Sequence, residues 1–231
     1  MAYDTTYIAL RLMRCGLWDE ALAILPSDAT TLRAELLTDR FWWRLDGQAE
    51  AEQAVAALYE EDGLVAAFRD SQLAYTRLLF DRSPRPDDLA RARDGFDSAA
   101  RDQRLAGWGL FWRGVTADVL EKDRAAAEGF FAQALAAALR DADLLLESYA
   151  LRHQGDHALE SDAGQETGLD LLRRSYHLRA ALGARPQTAA AAATLAEALP
   201  LEGTERGHLL QTAAATAREL NLTWLKSALD R

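Results

Sequence analysis

The sequence has 231 residues, enough to bury a substantial apolar core in one large domain or in a continuous array of repeats. Hydrophobic residues make up 49% and charged residues 27%, which excludes a disordered chain, and the abundance of Ala, Leu, Arg and Glu favours an all-α fold. The net charge of −10 disfavours a nucleic-acid partner, because phosphate contacts need a basic surface. The arginine clusters Arg91/Arg93 and Arg173/Arg174 both have carboxylates close by in the sequence.

Short breaks rich in Gly, Pro or Asp divide the chain into blocks with helical periodicity. In chain order they are CG at 15–16, PSD at 26–28, DG at 46–47, EDG at 61–63, SPRPDD at 83–88, GARP at 183–186 and PLEG at 200–203. One block places Leu169, Leu172, Tyr176 and then Arg179 at the spacing of one helix face. No block alternates as a strand does, so the pattern predicts many short antiparallel helices.

Three internal comparisons indicate that these helices repeat. They align 92–102 with 127–137 through Gly95 and Gly129, 34 positions apart; Gly114 with Gly155, 41 apart; and 171–183 with 209–221, 38 apart. The second comparison also superposes Trp108 on Tyr149 and Phe131 on Leu172. Variable offsets indicate that the helices repeat while the loops between them change in length.

The pattern resembles the tetratricopeptide repeat (TPR), a helix–turn–helix unit of 34 residues. The matching positions are Ala9, Gly16, Trp18 and Ala21; Gly114, Ala127, Phe131 and Ala134; Gly155, Gly168, Leu172 and Ser175; and Ala193, Ala196, Leu210 and Ala213. Small residues at such positions let two helices cross closely, while the large residue fills the space opposite. The sequence departs from the family pattern at Trp42, which stands where a small residue is expected.

The resemblance implies antiparallel helical hairpins stacked as a right-handed α-solenoid of about 10–13 helices. We expect one domain over residues 1–231, with the clearest units at about 1–30, 107–140 and 145–182 and closing helices at about 187–230. Every unit of such an array contacts only its neighbours, and the array presents an extended concave surface.

In this family the first helices of the repeats line the concave groove. The resemblance therefore places Trp108, Phe111 and Val115 in the groove from one unit, and Tyr149, Arg152 and Asp156 from the next. Two aromatic rings with a guanidinium beside them would suit a peptide ligand. The alternative is that Trp108 and Tyr149 are buried between units, as large aromatic side chains usually are.

The segment RHQGDHALES at 152–161 allows a different interpretation. His153 and His157 are four residues apart, a spacing that puts two metal ligands on one helix face, although a metal needs at least one further ligand. In the repeat alignment, however, His153 occupies the position of Trp112, which favours packing between units. The acidic pair Asp87/Asp88 is expected to face solvent at a helix start rather than to act in catalysis.

These features predict a non-catalytic scaffold that binds a peptide or a partner protein in the groove, with no cofactor. A regulatory sensor whose groove binds a small molecule or peptide is the alternative, and a metal-dependent enzyme using His153 and His157 is a third. A homodimer through the terminal helices, using Trp224 and Leu225, stays open. No Gly-rich phosphate loop or Gly-x-Ser-x-Gly motif occurs.

The expected location is the cytoplasm. The single cysteine, Cys15, forms no internal disulfide, the first residues lack a signal-peptide pattern, and no long apolar run predicts contact with a membrane. Arginine greatly outnumbers lysine, since only Lys122 and Lys226 occur, which is typical of a GC-rich bacterial genome.

Overall fold

The computed structural model describes residues 4–160 and 162–230, and every regular element in them is helical. Thirteen α-helices follow one another: α1 Thr5–Arg14, α2 Trp18–Ile24, α3 Thr30–Arg44, α4 Gln48–Leu58, α5 Gly63–Phe80, α6 Asp88–Ala100, α7 Ala106–Thr116, α8 Arg124–Asp141, α9 Leu144–Ala158, α10 Gln165–Ala181, α11 Arg185–Ala198, α12 Thr204–Glu219 and α13 Thr223–Leu229. A π-helical turn, Ala117–Glu121, extends α7, and a 3₁₀ turn, Asp162–Gly164, precedes α10. The all-α class is confirmed for this part of the chain. Met1–Tyr3 of the predicted unit 1–30, Ser161 of the unit 145–182 and Arg231 lie outside the described residues.

The helix boundaries follow from local chemistry. Each of the seven predicted breaks separates two helices, and three of them run into the first turn of the next helix. Asp side chains cap several helix starts, as where the Asp62 carboxylate accepts a hydrogen bond from the Val65 backbone N–H at 3.2 Å. Pro186 lies in the first turn of α11, where a missing backbone N–H costs nothing.

Consecutive helices pack as antiparallel hairpins. Between α9 and α10 the Ser175 hydroxyl donates to the Ser148 carbonyl at 2.6 Å. About two helix turns further along α9, Gly155 faces Gly168 near the start of α10. The first twelve helices form six such pairs, and α13 follows without a partner of its own. The described helices thus agree with the predicted number and with a closing helix near the C-terminus.

The predicted close crossings occur where glycine meets a large side chain. A Cβ added to Gly114 would lie 2.6 Å from the Phe131 ring, and one added to Gly155 would lie 3.0 Å from the Leu172 side chain. The second helices of three hairpins share a buried small–large–small pattern at i, i+4 and i+7. Its members are Ala92, Phe96 and Ala99 in α6, Ala127, Phe131 and Ala134 in α8, and Gly168, Leu172 and Ser175 in α10.

The alignment of Gly95 with Gly129 is wrong by one residue. A Cβ added to Gly95 would overlap the Ser71 hydroxyl of α5, whereas one added to Gly129 would meet open space. Buried Phe96 matches buried Phe131, an offset of 35 positions and not 34. The glycine match was fortuitous, because burial on the partner helix, and not the presence of glycine, defines equivalent positions.

The prediction that His153 packs as Trp112 does is confirmed. The Trp112 ring stacks on Phe96 with the centroids 5.5 Å apart, and the His153 ring stacks on Phe131 at 4.6 Å. Both contacts join the first helix of one hairpin to the second helix of the hairpin before it. An aromatic ring therefore recurs at one packing position in two successive units.

The expectation that Asp88 faces solvent is wrong. Asp88 is fully buried, and its carboxylate accepts two hydrogen bonds from the buried Arg77 guanidinium, one of them at 2.9 Å from Nε, and a third from the Arg85 backbone N–H. This arrangement anchors the SPRPDD loop to the end of α5, because a buried charge needs a partner and hydrogen bonds. Asp87 does face solvent, as expected.

The two ends of the chain pack against each other. One apolar core joins α1–α3 to α10–α13, with Trp18, Leu36 and Trp43 in the same cluster as Leu209, Leu222 and Leu225. The Arg44 Nε donates to the Leu220 carbonyl at 3.3 Å, and Gly16 lies directly against Leu220. The terminal helices therefore cover one another. Trp224 and Leu225, considered for a homodimer, pack inside the same chain.

Candidate functional site

The odd-numbered helices share a surface that we call the inner face, formed by side chains of α3, α5, α7 and α9. At its α3 end Trp42 contacts Tyr75 and Trp112, with ring centroids 6.1 and 5.7 Å apart. At its α9 end Trp108 contacts Tyr149 at 5.5 Å. Because each helix adds an aromatic side chain at this surface, the inner face is a largely continuous aromatic layer.

The predicted aromatic site residues lie on this face and touch one another. Phe111 contacts both Trp108 and Tyr149, and the Trp108 indole N–H donates to Asp143 at 2.9 Å. Trp108 and Tyr149 are half-buried, whereas Phe111 and Val115 are only 2% and 6% exposed. The exposed parts of the first two side chains are therefore what this cluster presents at the surface.

The predicted polar residues lie one and two helix turns further along α9. The Arg152 and Asp156 side chains form an ion pair at 3.3 Å, and each is 32% exposed. The Arg152 Nε also donates to the Thr194 hydroxyl of α11 at 3.4 Å, which bridges two first helices. Desolvation raises the pKa of the Asp156 carboxyl, while the Arg152 guanidinium opposes that rise.

An open cleft of about 390 Å³ lies between α9, α10 and α11, and Asp156 lines it. The other lining residues are Leu159, Gln165, Thr194, Glu197 and Ala198. Together with Asp156 they offer two carboxylates, a hydroxyl and an amide beside apolar carbon, groups that can hydrogen-bond a polar ligand. The cleft brings Asp156 together with Thr194 and Glu197, residues that the sequence alone did not indicate.

Arg179 is a second residue that the sequence analysis did not assign to the site. It is 2% exposed, its guanidinium lies 4.3 Å from the centre of the Tyr149 ring, and its described hydrogen-bond partners, Ser148 and the Gln187 carbonyl, are uncharged. Burial lowers its pKa to about 10, so it stays cationic at neutral pH. The signal was present in the sequence, because Arg179 continues the apolar stripe of Leu169, Leu172 and Tyr176.

A half-buried carboxylate lies on α3. Asp39 accepts hydrogen bonds from the Trp18 indole at 2.7 Å and from the Trp43 indole at 3.2 Å. Desolvation raises its pKa to about 6, although both indole hydrogen bonds favour the ionised form. Asp39 thus connects α2 to α3 through two N–H donors on one carboxylate.

The two histidines of the metal hypothesis both contact the Phe131 ring, but their Nε2 atoms have different neighbours. The His153 ring lies between Phe111 and Phe131, and its Nε2 is 3.2 Å from the Arg152 guanidinium, an arrangement unsuited to a cation. His157 points its Nε2 towards Asp118 of the π-helical turn at 3.3 Å, beside a cleft of about 300 Å³. Among the described residues, no group of three or more His, Cys, Asp or Glu side chains is arranged to hold a metal ion.

The arginine clusters considered as basic patches are all paired with carboxylates. The pairs are Arg91 with Asp70 and Asp87, Arg93 with Asp94, Arg173 with Glu205, and Arg174 with Glu147.

None of the helices in residues 4–160 and 162–230 combines the length and the apolar composition that crossing a bilayer requires.

Comparison with known proteins gives no family for this chain. No protein-family model matches it, and no curated protein matches it in sequence. The case for a function therefore depends on the residues of the inner face and of the α9–α11 cleft.

Proposed function

We propose that this protein is a non-catalytic helical-hairpin array, similar to TPR proteins and possessing their right-handed superhelical stacking, which binds a peptide or a partner protein on its inner face. The repeated small–large–small pattern and the glycine crossings support the comparison. Such arrays hold extended segments through side chains of successive first helices. The proposed binding region runs from Trp108 and Tyr149 to the α9–α11 cleft.

The main support for the proposal is the cleft beside the Arg152–Asp156 ion pair. Arg152 and Asp156, placed in the groove by the resemblance, lie beside an open cleft, and Asp156, Thr194 and Glu197 line it with hydrogen-bonding groups. A partly exposed ion pair next to aromatic side chains supplies both directional contacts and apolar area to a peptide.

The test uses substitutions in the cleft and a matched control outside it. The full chain, the Arg152→Gln variant and the Glu197→Gln variant would be used to capture cross-linked partners from the native cell. Arg140→Gln is the control, because Arg140 is exposed and its described bonds all go to the neighbouring Asp141. We expect a partner that both cleft variants lose and that the control keeps.

The captured partner is then purified, and its affinity is measured by calorimetry. We expect at least about a tenfold weaker Kd for the Arg152→Gln variant, since truncating a central polar contact typically costs more than 1 kcal/mol. Equal affinities for the wild type and both cleft variants would contradict the proposal.

The regulatory sensor is the second candidate, favoured by the contact between the chain ends. Binding that changed the curvature of the array would strain the contacts of Leu220 with Arg44 and Gly16. A sensor would therefore change its radius of gyration in small-angle scattering when ligand is added, whereas a scaffold would keep the same radius.

A further inference from the structure

The C-terminal helix α13 lies against the α3 end of the inner face. The Trp224 ring stacks on Trp43 with the centroids 5.4 Å apart and on Phe80 at 6.2 Å, and its edge meets Trp42 at 6.3 Å. We call the surface formed by Trp42, Trp43 and Phe80 the α13 seat. Leu225, the next residue of α13, is 2% exposed. A short helix with a Trp–Leu pair thus fills an aromatic surface, much as an amphipathic peptide fills a groove.

The helix itself is weakly held outside this contact. It has seven residues, too few for a stable isolated helix, and its N-terminus has no side-chain cap. The Trp224 indole N–H is buried and has no hydrogen-bond partner among the described residues, which lowers the net gain from docking. The stability of α13 therefore depends on the seat rather than on its own hydrogen bonds.

The connection before α13 is anchored separately. Leu220 and Leu222 are 3% and 0% exposed, and the Leu220 carbonyl accepts the hydrogen bond from Arg44. Asn221 between them has a φ of 55°, a left-handed conformation that asparagine tolerates. Because these contacts precede Thr223, they would keep the two ends of the array together when α13 leaves the seat and withdraws Leu225 from the shared core.

We propose that the α13 seat is a docking surface for a short amphipathic helix of a partner protein, with a tryptophan anchor followed by leucine, and that α13 is the internal occupant which such a helix displaces. This goes beyond the binding proposed for the α9–α11 cleft, which uses other residues. The chemistry of α13 defines the partner: an indole that stacks on Trp43 and Phe80, and a neighbouring apolar side chain.

Tethering determines how strongly α13 competes. A segment on a short connection has an effective concentration of about 1 mM, so it reduces the apparent affinity of a free peptide with a Kd of about 10–100 µM by about tenfold to a hundredfold. Weakening the docking of α13 should therefore strengthen the binding of a free helix to the same seat. A surface unrelated to α13 would show no such gain.

The probe is a fluorescein-labelled synthetic peptide of residues 220–231, titrated with the full chain and followed by fluorescence anisotropy. We expect Trp224→Ala protein to bind it at least about tenfold more tightly than wild type, because its own α13 has lost the anchor. Tyr59→Ala is the protein control, since Tyr59 is an exposed aromatic residue at the end of α4, outside both proposed binding regions. It should bind like wild type. The same peptide with alanine at position 224 should not bind.

Hydrogen exchange on the wild-type protein tests the proposal without any substitution. It therefore serves as the test if the Trp224→Ala variant does not fold. We expect the amides of α13 to exchange at least about tenfold faster than the central amides of α12, because α13 opens locally. Equal peptide affinity for wild type and folded Trp224→Ala, or the absence of binding, would overturn the proposal. Exchange of α13 at the rate of α12 would also overturn it. So would a wild-type dimer, measured by light scattering, that Trp224→Ala dissociates, because a second copy would then be the occupant.

Discussion

Asp39 is a carboxylate to which two indole N–H groups donate from two helices. The bonds from Trp18 and Trp43 stabilise the charge, yet removal from water costs more, so the pKa of Asp39 is raised to about 6. Glu35 on the same helix and Arg69 on α5 also face it, and they act in opposite directions. The folded protein therefore binds a proton at Asp39 more tightly than the unfolded chain does, whose value is 3.8.

The raised pKa of Asp39 determines the direction in which the stability of the protein changes with pH. As the pH falls from about 7 to about 4, the folded state takes up the proton first, so the free energy of unfolding of the wild type should rise relative to that of Asp39→Asn. The relative gain should be on the order of 3 kcal/mol. Urea unfolding at several pH values measures it. Asp28→Asn, at an exposed aspartate, is the control and should keep the wild-type slope.

For single residues, the sequence indicated an unusual role only where a charged residue interrupted an apolar pattern. Arg179 stood out because it continued an apolar stripe, and the structure buries it against Tyr149. Asp88 gave no such signal. Its neighbour Asp87 has the same chemistry and faces solvent, and only the position of Arg77 across the hairpin decides that Asp88 is buried. Pairings between distant residues of this kind have no local signature.

At the scale of elements, two helical glycines should respond in opposite ways to the same change. Gly114→Ala would place a Cβ against the Phe131 ring and should lower the free energy of unfolding by about 1–3 kcal/mol, the usual cost of overpacking. Gly129→Ala would meet open space inside α8 and should raise it by about 0.5–1 kcal/mol, because alanine loses less backbone entropy. Thermal and urea unfolding of both variants provide the check. Equal effects would mean that the packing of the α7–α8 hairpin differs from that described.

The helix boundaries show what the sequence could specify about the elements. The seven predicted breaks all contain Gly or Pro, because those residues cannot continue a helix at low cost, but the break between α9 and α10, which contains Gly164, was missed. The ends of the π-helical turn and of α8 were missed. There Lys122 and Ala142 adopt positive φ angles of 58° and 53°, and neither residue type signals a left-handed conformation. The aspartates that follow, Asp123 and Asp143, cap α8 and α9 and were the remaining clue.

At the scale of the whole molecule, the contact between the chain ends was not predicted. An open array has nearest-neighbour contacts only, and a repeat pattern describes each hairpin and its neighbour. The contact of Gly16 with Leu220 joins the first hairpin to the segment after the last one, and no pattern within a single hairpin specifies it. The same reason limited the site prediction: the resemblance listed residues of α7 and α9, some of which touch, but Thr194 and Glu197 come from α11.

A substitution at one end should therefore weaken the other. Leu222→Ala removes a fully buried side chain and should cost about 2–5 kcal/mol. Because Leu222 shares its core with α1–α3, we expect faster amide exchange in those helices as well as in α12. Hydrogen exchange measured by mass spectrometry tests this, with Leu139→Ala, at an exposed leucine, as the control. Faster exchange confined to α11–α13 would show that the ends are not energetically coupled.

The contact between the two ends also bears on how this protein can vary by duplication. Open arrays gain or lose units readily, since a new hairpin only needs to match its two neighbours. Here an added or deleted hairpin would separate Gly16 from Leu220 and expose the core that Trp18 and Leu222 share. Divergent copies of the gene should consequently differ in their loops and surface residues while keeping the number of hairpins constant.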